Sequence, residues 1–167
     1  MTLNIVEGKP ALDFLLPDEQ GNNVQLSDFK GKWVILYFYP RDLTPGCTIQ
    51  AIDFTKRVDS FNKLGAVILG MSPDTVAKHQ SFIQKKELKI TLLADPEKEV
   101  LNAYGVWQKK KMAGREYMGV VRSTVVINPD GDVVKIWEKV RVKGHVELVY
   151  NLLLDMNTQT EVTGGNS

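Results

Sequence analysis

The chain is short of the residues that would make several functions easy to read. It holds one cysteine, Cys47, and two histidines, His79 and His145, in 167 residues. One cysteine excludes an intrachain disulfide, an all-cysteine metal site and a Cys-x-x-Cys exchange motif. The longest apolar run, Trp33–Tyr39, is seven residues, too short for a membrane span. Charge of one sign is also missing. Lys+Arg 21 against Asp+Glu 20 leaves +1, so no global field draws the chain to nucleic acid or an anionic membrane. Neither G-x-G-x-x-G nor G-x-x-x-x-G-K-[ST] occurs, which leaves a nucleotide site without a motif. The start, MTLNIVEGKPALDF, has no basic head followed by an apolar block. It does not read as a secretory signal, and the expected location is the cytoplasm, where a free thiol stays reduced.

What is present suits a single α/β domain. The apolar fraction is 43%, enough for a core in a chain of this length. Trp33–Tyr39 and Ala66–Met71 are continuously apolar, as strands buried on both faces are, and Ile90–Leu93 is a shorter third. Ser123–Ile127 and Val133–Trp137 flank Asn128-Pro129-Asp130-Gly131, a turn signal that makes them a hairpin. Helical spacing lies between these runs: Ala51, Phe54, Val58 and Phe61, then Asp74 to about Lys86 with Ser72 or Asp74 as cap, Pro96–Tyr104, and Gly144–Asp155. Gln108–Arg115 reads as a basic loop, and with a net charge near zero Lys109–Lys111 reads as solvated there rather than as a contact for an acidic partner or nucleic acid. Asn157–Ser167 is polar and reads as a disordered tail. The expected architecture is one domain over 1–155, a three-layer sandwich with a mixed sheet, followed by a tail over 156–167.

In open α/β sheets the working site lies off the carboxyl ends of the strands. The segment leaving Tyr39 is Pro40-Arg41-Asp42-Leu43-Thr44-Pro45-Gly46-Cys47. Pro45 suits a first helical position and Thr44 the N-cap before it. Cys47 then falls in the first turn, where unpaired N–H groups and the helix dipole favour the thiolate. A lone cysteine is more often a small buried hydrophobe, and Cys47 also extends the apolar stripe of Ala51 and Phe54 backwards. A cysteine hydrolase needs a histidine base, and no local pattern brings His79 or His145 to Cys47.

FYPRDLTPGCT, VVRSTVVINPDG and VKGH at 142–145 resemble, in this order, the motifs of peroxiredoxins of the Q type, also called bacterioferritin comigratory proteins. The resemblance runs from about Lys9 to Leu154. It implies a thioredoxin-like fold and a thiol peroxidase that reduces hydrogen peroxide and alkyl hydroperoxides. It matches Cys47 to the peroxidatic cysteine and Thr44 to the hydroxyl that bonds thiolate and peroxide. Pro40 matches the proline that shields the site, and Arg122 the arginine that fixes the thiolate. No metal or organic cofactor is implied.

One departure shapes the expected mechanism. Many Q-type enzymes carry a resolving cysteine five residues after the peroxidatic one, and here that position is Ile52. With no second cysteine, the oxidised Cys47 needs an external thiol: thioredoxin, glutaredoxin with glutathione, or a small thiol. The first helix then has no internal partner to reach and need not unwind. A monomer or weak homodimer is expected. A redox sensor that relays Cys47 oxidation to a partner thiol is the alternative reading.

Overall fold

In the computed structural model, residues 3–164 are described, with side chains through Thr158. The central sheet has five strands: β3 (Trp33–Phe38), β4 (Ala66–Ser72), β5 (Thr91–Ala94), β8 (Ser123–Ile127) and β9 (Val133–Trp137). Their order is β5-β4-β3-β8-β9, with β3, β4 and β5 mutually parallel and β8 antiparallel to β3 and β9. Two short strands precede them, β1 (Leu15–Pro17) and β2 (Asn23–Gln25), paired as a hairpin. A second hairpin, β6 (Trp107–Met112) with β7 (Arg115–Val120), stands apart from the sheet. The helices are α1 (Pro45–Lys63), α2 (Val76–Lys86), α3 (Glu99–Tyr104) and α4 (His145–Gly164). This is the thioredoxin-like mixed sandwich that the sequence led us to expect. No described helix is long and apolar enough to cross a membrane.

The period-2 geometry of a strand explains why β3 is apolar throughout. All six of its residues are buried. Val34, Leu36 and Phe38 face one cluster, with Leu101 and Tyr104 of α3. Ile35 and Tyr37 face the other, with Ala51 and Phe54 of α1 and Val149 and Leu153 of α4. Phe54 stacks on Tyr37 with centroids 4.7 Å apart, and Tyr37 stacks on Tyr39 at 5.4 Å. This aromatic column fixes α1 over the sheet. Gly70 pairs with Tyr37 across the strands, and a Cβ there would lie 2.8 Å from the Tyr37 ring. The bare backbone at Gly70 is what lets that ring lie flat.

Three expectations are corrected. Gln108–Arg115 is not a loop but most of the β6–β7 hairpin, closed by Ala113 and Gly114, both at positive φ (51° and 79°). That is a two-residue turn of the primed kind. Each face of the hairpin mixes polar and apolar residues, most of them exposed, so no alternating pattern announced it. Helix α2 starts at Val76, two residues after Asp74, with Thr75 as the cap that accepts the Lys78 N–H. Asp74 and Ser72 are bonded to each other instead. Finally, α4 does not end at Asp155 but runs to Gly164, so residues 156–164 continue a helix. Asn157 and Thr158 donate back to the Leu153 and Leu154 carbonyls, and no proline or glycine interrupts before Gly164. Residues 165–167 of the expected tail lie outside the described residues.

Candidate active site

The site is built where β3 ends and α1 begins. Pro40 has no N–H to continue the ladder, and the chain turns out through Asp42 and Leu43. Leu43 holds a φ of 64° and is exposed. Left-handed backbone at a non-glycine residue costs on the order of 1 kcal/mol and is kept only where the surroundings impose it. Thr44 is the N-cap of α1, with φ −79° and ψ 154°, and Pro45 is the first helical residue, as the sequence implied. Cys47 is therefore the third residue of the helix. The Thr48 N–H bonds the Thr44 carbonyl, so the Gly46 and Cys47 N–H groups precede the helical ladder. They give the sulfur the positive end of a nineteen-residue helix.

Cys47 is 2% exposed, a reduced thiol under cover. Arg122, from the junction of β7 and β8, donates from Nη2 to Cys47 Sγ at 3.3 Å and from Nη1 to Gln50 Oε1 at 2.5 Å. Its fork therefore spans two residues one turn apart on α1. The fit is close: a Cβ on Gly46 would lie 3.3 Å from Nη2. Pro40 and Arg122 line one cleft of about 630 Å³. Three of the four expected site residues thus converge. Thr44 is beside them, but its hydroxyl donates to the Arg41 carbonyl at 2.8 Å. Among the described residues it makes no bond to Cys47.

Sequence reasoning missed Gln50. It is fully buried, and its Nε2 has no hydrogen-bond partner among the described residues. The signal was there: a polar residue in the apolar stripe that joins Cys47, Ala51 and Phe54. Sequence reasoning also missed a buried network behind the loop. Tyr39 Oη donates to Asp42 Oδ1 at 2.6 Å, and His79 Nδ1 lies 2.6 Å from Asp42 Oδ2. The Asp42 N–H and Ser72 Oγ both donate to Asp74 Oδ2. His79 Nε2 is 2.9 Å from the Leu93 carbonyl. A carbonyl only accepts, so Nε2 carries a hydrogen, and one proton lies between Nδ1 and Asp42. Burial, then the Asp42 charge, push the Tyr39 phenol well above its usual range, so it stays a donor.

Asp42, Asp74 and His79 bring three metal-type ligand atoms within 4.8 Å of one another. Each group is already bonded to another protein group, so the cluster is a network that ties the loop to α2. The other histidine is also committed. His145 Nε2 is 2.8 Å from Thr124 Oγ1, with its ring edge-on to Trp137. Burial, then the nearby Arg122 charge, hold its pKa down to about 4, so it is neutral at pH 7. Neither histidine hydrogen-bonds Cys47, and the Cys–His pair of a hydrolase is not built.

The chain matches the AhpC/TSA family over residues 7–136. It is 47% identical to peroxiredoxin Bcp of Bacillus subtilis over 157 residues, 94% of this chain and 99% of that one. It is 43% identical over 146 residues to a Haemophilus influenzae protein described as a putative peroxiredoxin bcp, covering 87% and 94%. Among solved structures, Xanthomonas campestris peroxiredoxin Q superposes with a TM-score of 0.82 at 37% identity, over 86% of this chain and 91% of that one. A cysteine-to-serine mutant of Xylella fastidiosa PrxQ superposes with 0.87 at 32% identity, over 92% and 98%. The chain, with its single cysteine at the head of α1, belongs to the AhpC/TSA family and is a peroxiredoxin, a thiol peroxidase of the Bcp/PrxQ kind.

Proposed function

We propose that the protein reduces hydrogen peroxide and alkyl hydroperoxides in the cytoplasm by a one-cysteine cycle centred on Cys47. The observation that carries this reading is the Arg122 Nη2–Cys47 Sγ contact of 3.3 Å at the head of α1. A guanidinium and unpaired helix N–H groups both favour the thiolate, which is the nucleophile. One relative supports the substrate class: a Xanthomonas campestris bacterioferritin comigratory protein has been described for alkyl peroxide reduction.

The thiolate attacks one peroxide oxygen, the O–O bond breaks, and the leaving oxygen departs as water or an alcohol after taking a proton. Cys47 becomes a sulfenic acid. Negative charge grows on the leaving oxygen, where donors fixed in advance lower the barrier. Arg122 and the Gly46 and Cys47 N–H groups supply them, with the Thr44 hydroxyl turning from Arg41 to the bound peroxide. Pro40 keeps water from the sulfur. Gln50 holds Arg122 at its angle. One external thiol then condenses with the sulfenic acid to give a mixed disulfide and water. A second thiol releases Cys47 and leaves as the oxidised disulfide. Ile52 and the rest of α1 can stay helical throughout.

The test is stoichiometry. Hydrogen peroxide in equimolar amount should add one oxygen to the intact mass, at Cys47. Turnover should consume two monothiols per peroxide. Loss of α1 amide protection on oxidation would contradict the intact-helix part. A stable disulfide with one partner protein and no turnover would make the protein a sensor instead.

A further inference from the structure

The cleft beside Arg122 has a composition the chain as a whole lacks. Its walls carry Lys109, Lys110, Lys111, Arg122 and Lys139, and no aspartate or glutamate. Five cations at one mouth are a local choice in a chain whose net charge is +1. Lys109 has an exposed partner, Glu116, at 3.4 Å. Among the described residues Lys110, Lys111 and Lys139 make no ion pair. Lys139 is held there at a φ of 52°, another left-handed non-glycine residue.

Lys110 is the most informative of the set. It is half-buried, and its Nζ donates to the Val120 carbonyl at 2.9 Å. An ammonium has three donors, so two remain. Burial and the neighbouring Arg122 charge lower its pKa, while the Cys47 charge opposes them. A cation held near another cation, with no carboxylate beside it, is an arrangement that an incoming anion completes.

We infer that this cleft binds the external reductant, and that the reductant is a small thiol bearing carboxylates. The inference rests on the one-cysteine reading above, because only a protein without an internal resolver needs such a site. Size agrees: about 630 Å³ falls in the range of pockets that take small molecules. Access agrees too. The sulfur is covered, but the cleft reaches Arg122, whose Nη2 lies 3.3 Å from Cys47 Sγ, so a slender thiol seated there is one side chain away from the Cys47 sulfenic acid. Its carboxylates remain on Lys110 and Lys139. The chemistry balances as Cys47–SOH plus R–SH giving Cys47–S–S–R plus water. A second R–SH then gives Cys47–SH and R–S–S–R.

Glutathione and its diethyl ester share one stem and one thiol and differ in their carboxylates, so they are the probes. The protein is first oxidised with one equivalent of hydrogen peroxide and checked for one added oxygen. Mixed-disulfide formation is then followed by quench and intact mass, at equal thiolate concentrations. Glutathione should react about tenfold faster than the ester at low ionic strength, a gap of the size that charge complementarity gives. The advantage should shrink toward one near 1 M salt, where screening is complete within a few ångströms. In Lys139→Glu and in the pair Lys110→Glu with Lys139→Glu, the glutathione-to-ester ratio should fall toward or below one. The ester rate in the same variant is the internal reference. A ratio of one in the unmodified protein overturns the inference, as does a ratio unchanged in both variants. So does reduction by a dithiol protein but by neither probe. Each of those results leaves peroxide reduction standing. Failure to add the first oxygen removes both readings.

Discussion

The two walls of the Cys47 site are built on opposite principles. On one side the loop from Pro40 to Thr44 rests on Tyr39, Asp42, Ser72, Asp74 and His79, all buried and bonded to one another. On the other side the β6–β7 hairpin presents three lysines, Lys109 and Lys111 exposed and Lys110 half-buried, of which only Lys109 has a carboxylate partner among the described residues. The first wall is internally satisfied and holds geometry. The second is unsatisfied in charge and open to something from outside. Arg122 joins them, with its backbone beside the hairpin and its guanidinium on α1. Polar groups complete within the fold do structural work here, and polar groups left incomplete face the solution.

The comparison can be broken most severely at the junction. Cys47→Ser should abolish peroxide reduction. Arg122→Ala should lower the rate of Cys47 oxidation by about 10²–10³-fold, the usual loss when a donor to developing negative charge is removed. Gln50→Ala tests the same fork more gently, with a smaller loss in rate than Arg122→Ala. Stopped-flow mixing with peroxide reads all three.

Breaking the satisfied wall should cost stability. His79→Ala strands Asp42 in a buried site, and removing one partner of a buried pair costs about 3–5 kcal/mol. Urea unfolding should show it, with looser amide protection over residues 40–47. Phe54→Ala, which empties the ring stacked on Tyr37, should cost a similar 3–5 kcal/mol. A value below about 1 kcal/mol for either would mean that the loop or the helix is held by something else.

A pH prediction follows from His145. Its pKa is held down to about 4 in the fold, against an ordinary 6.5 in the unfolded chain. Between those values the unfolded state binds the extra proton, so stability should fall as pH drops from about 6.5 to 4 and level off below. The loss from this group is at most about 3 kcal/mol. His145→Gln should flatten that part of the stability profile. The smallest effect belongs to the open wall: Glu116→Gln, which removes an exposed ion pair with Lys109, should change stability by less than about 0.5 kcal/mol.

Legibility in the sequence divides along the same line. The strands of the sheet were readable because burial on both faces leaves unbroken apolar runs, as in Trp33–Phe38. The head of α1 was readable because Thr44-Pro45 is chemistry that only a helix start rewards. The β6–β7 hairpin was not readable, since two solvated faces leave no period to detect. Asp42, Asp74 and His79 were hidden for a different reason. They lie up to 37 positions apart, and no local pattern distinguishes a polar residue that will be buried and paired from one that will meet water. Gln50 is the intermediate case. Its place in an apolar stripe marked it as buried, but its partner comes from 72 residues away. The extension of α4 past Asp155 was hidden by a polar composition that also suits a solvated tail, although no proline or glycine breaks the helix before Gly164.

The central claim is that Arg122 and the head of α1 make Cys47 an unusually reactive thiolate. The most direct test is the second-order rate of the reduced protein with hydrogen peroxide at neutral pH, measured beside free cysteine and the Arg122→Ala variant. The account predicts a rate orders of magnitude above free cysteine, with most of that excess lost in the variant. A rate equal to that of free cysteine, or one that Arg122→Ala leaves unchanged, would contradict it.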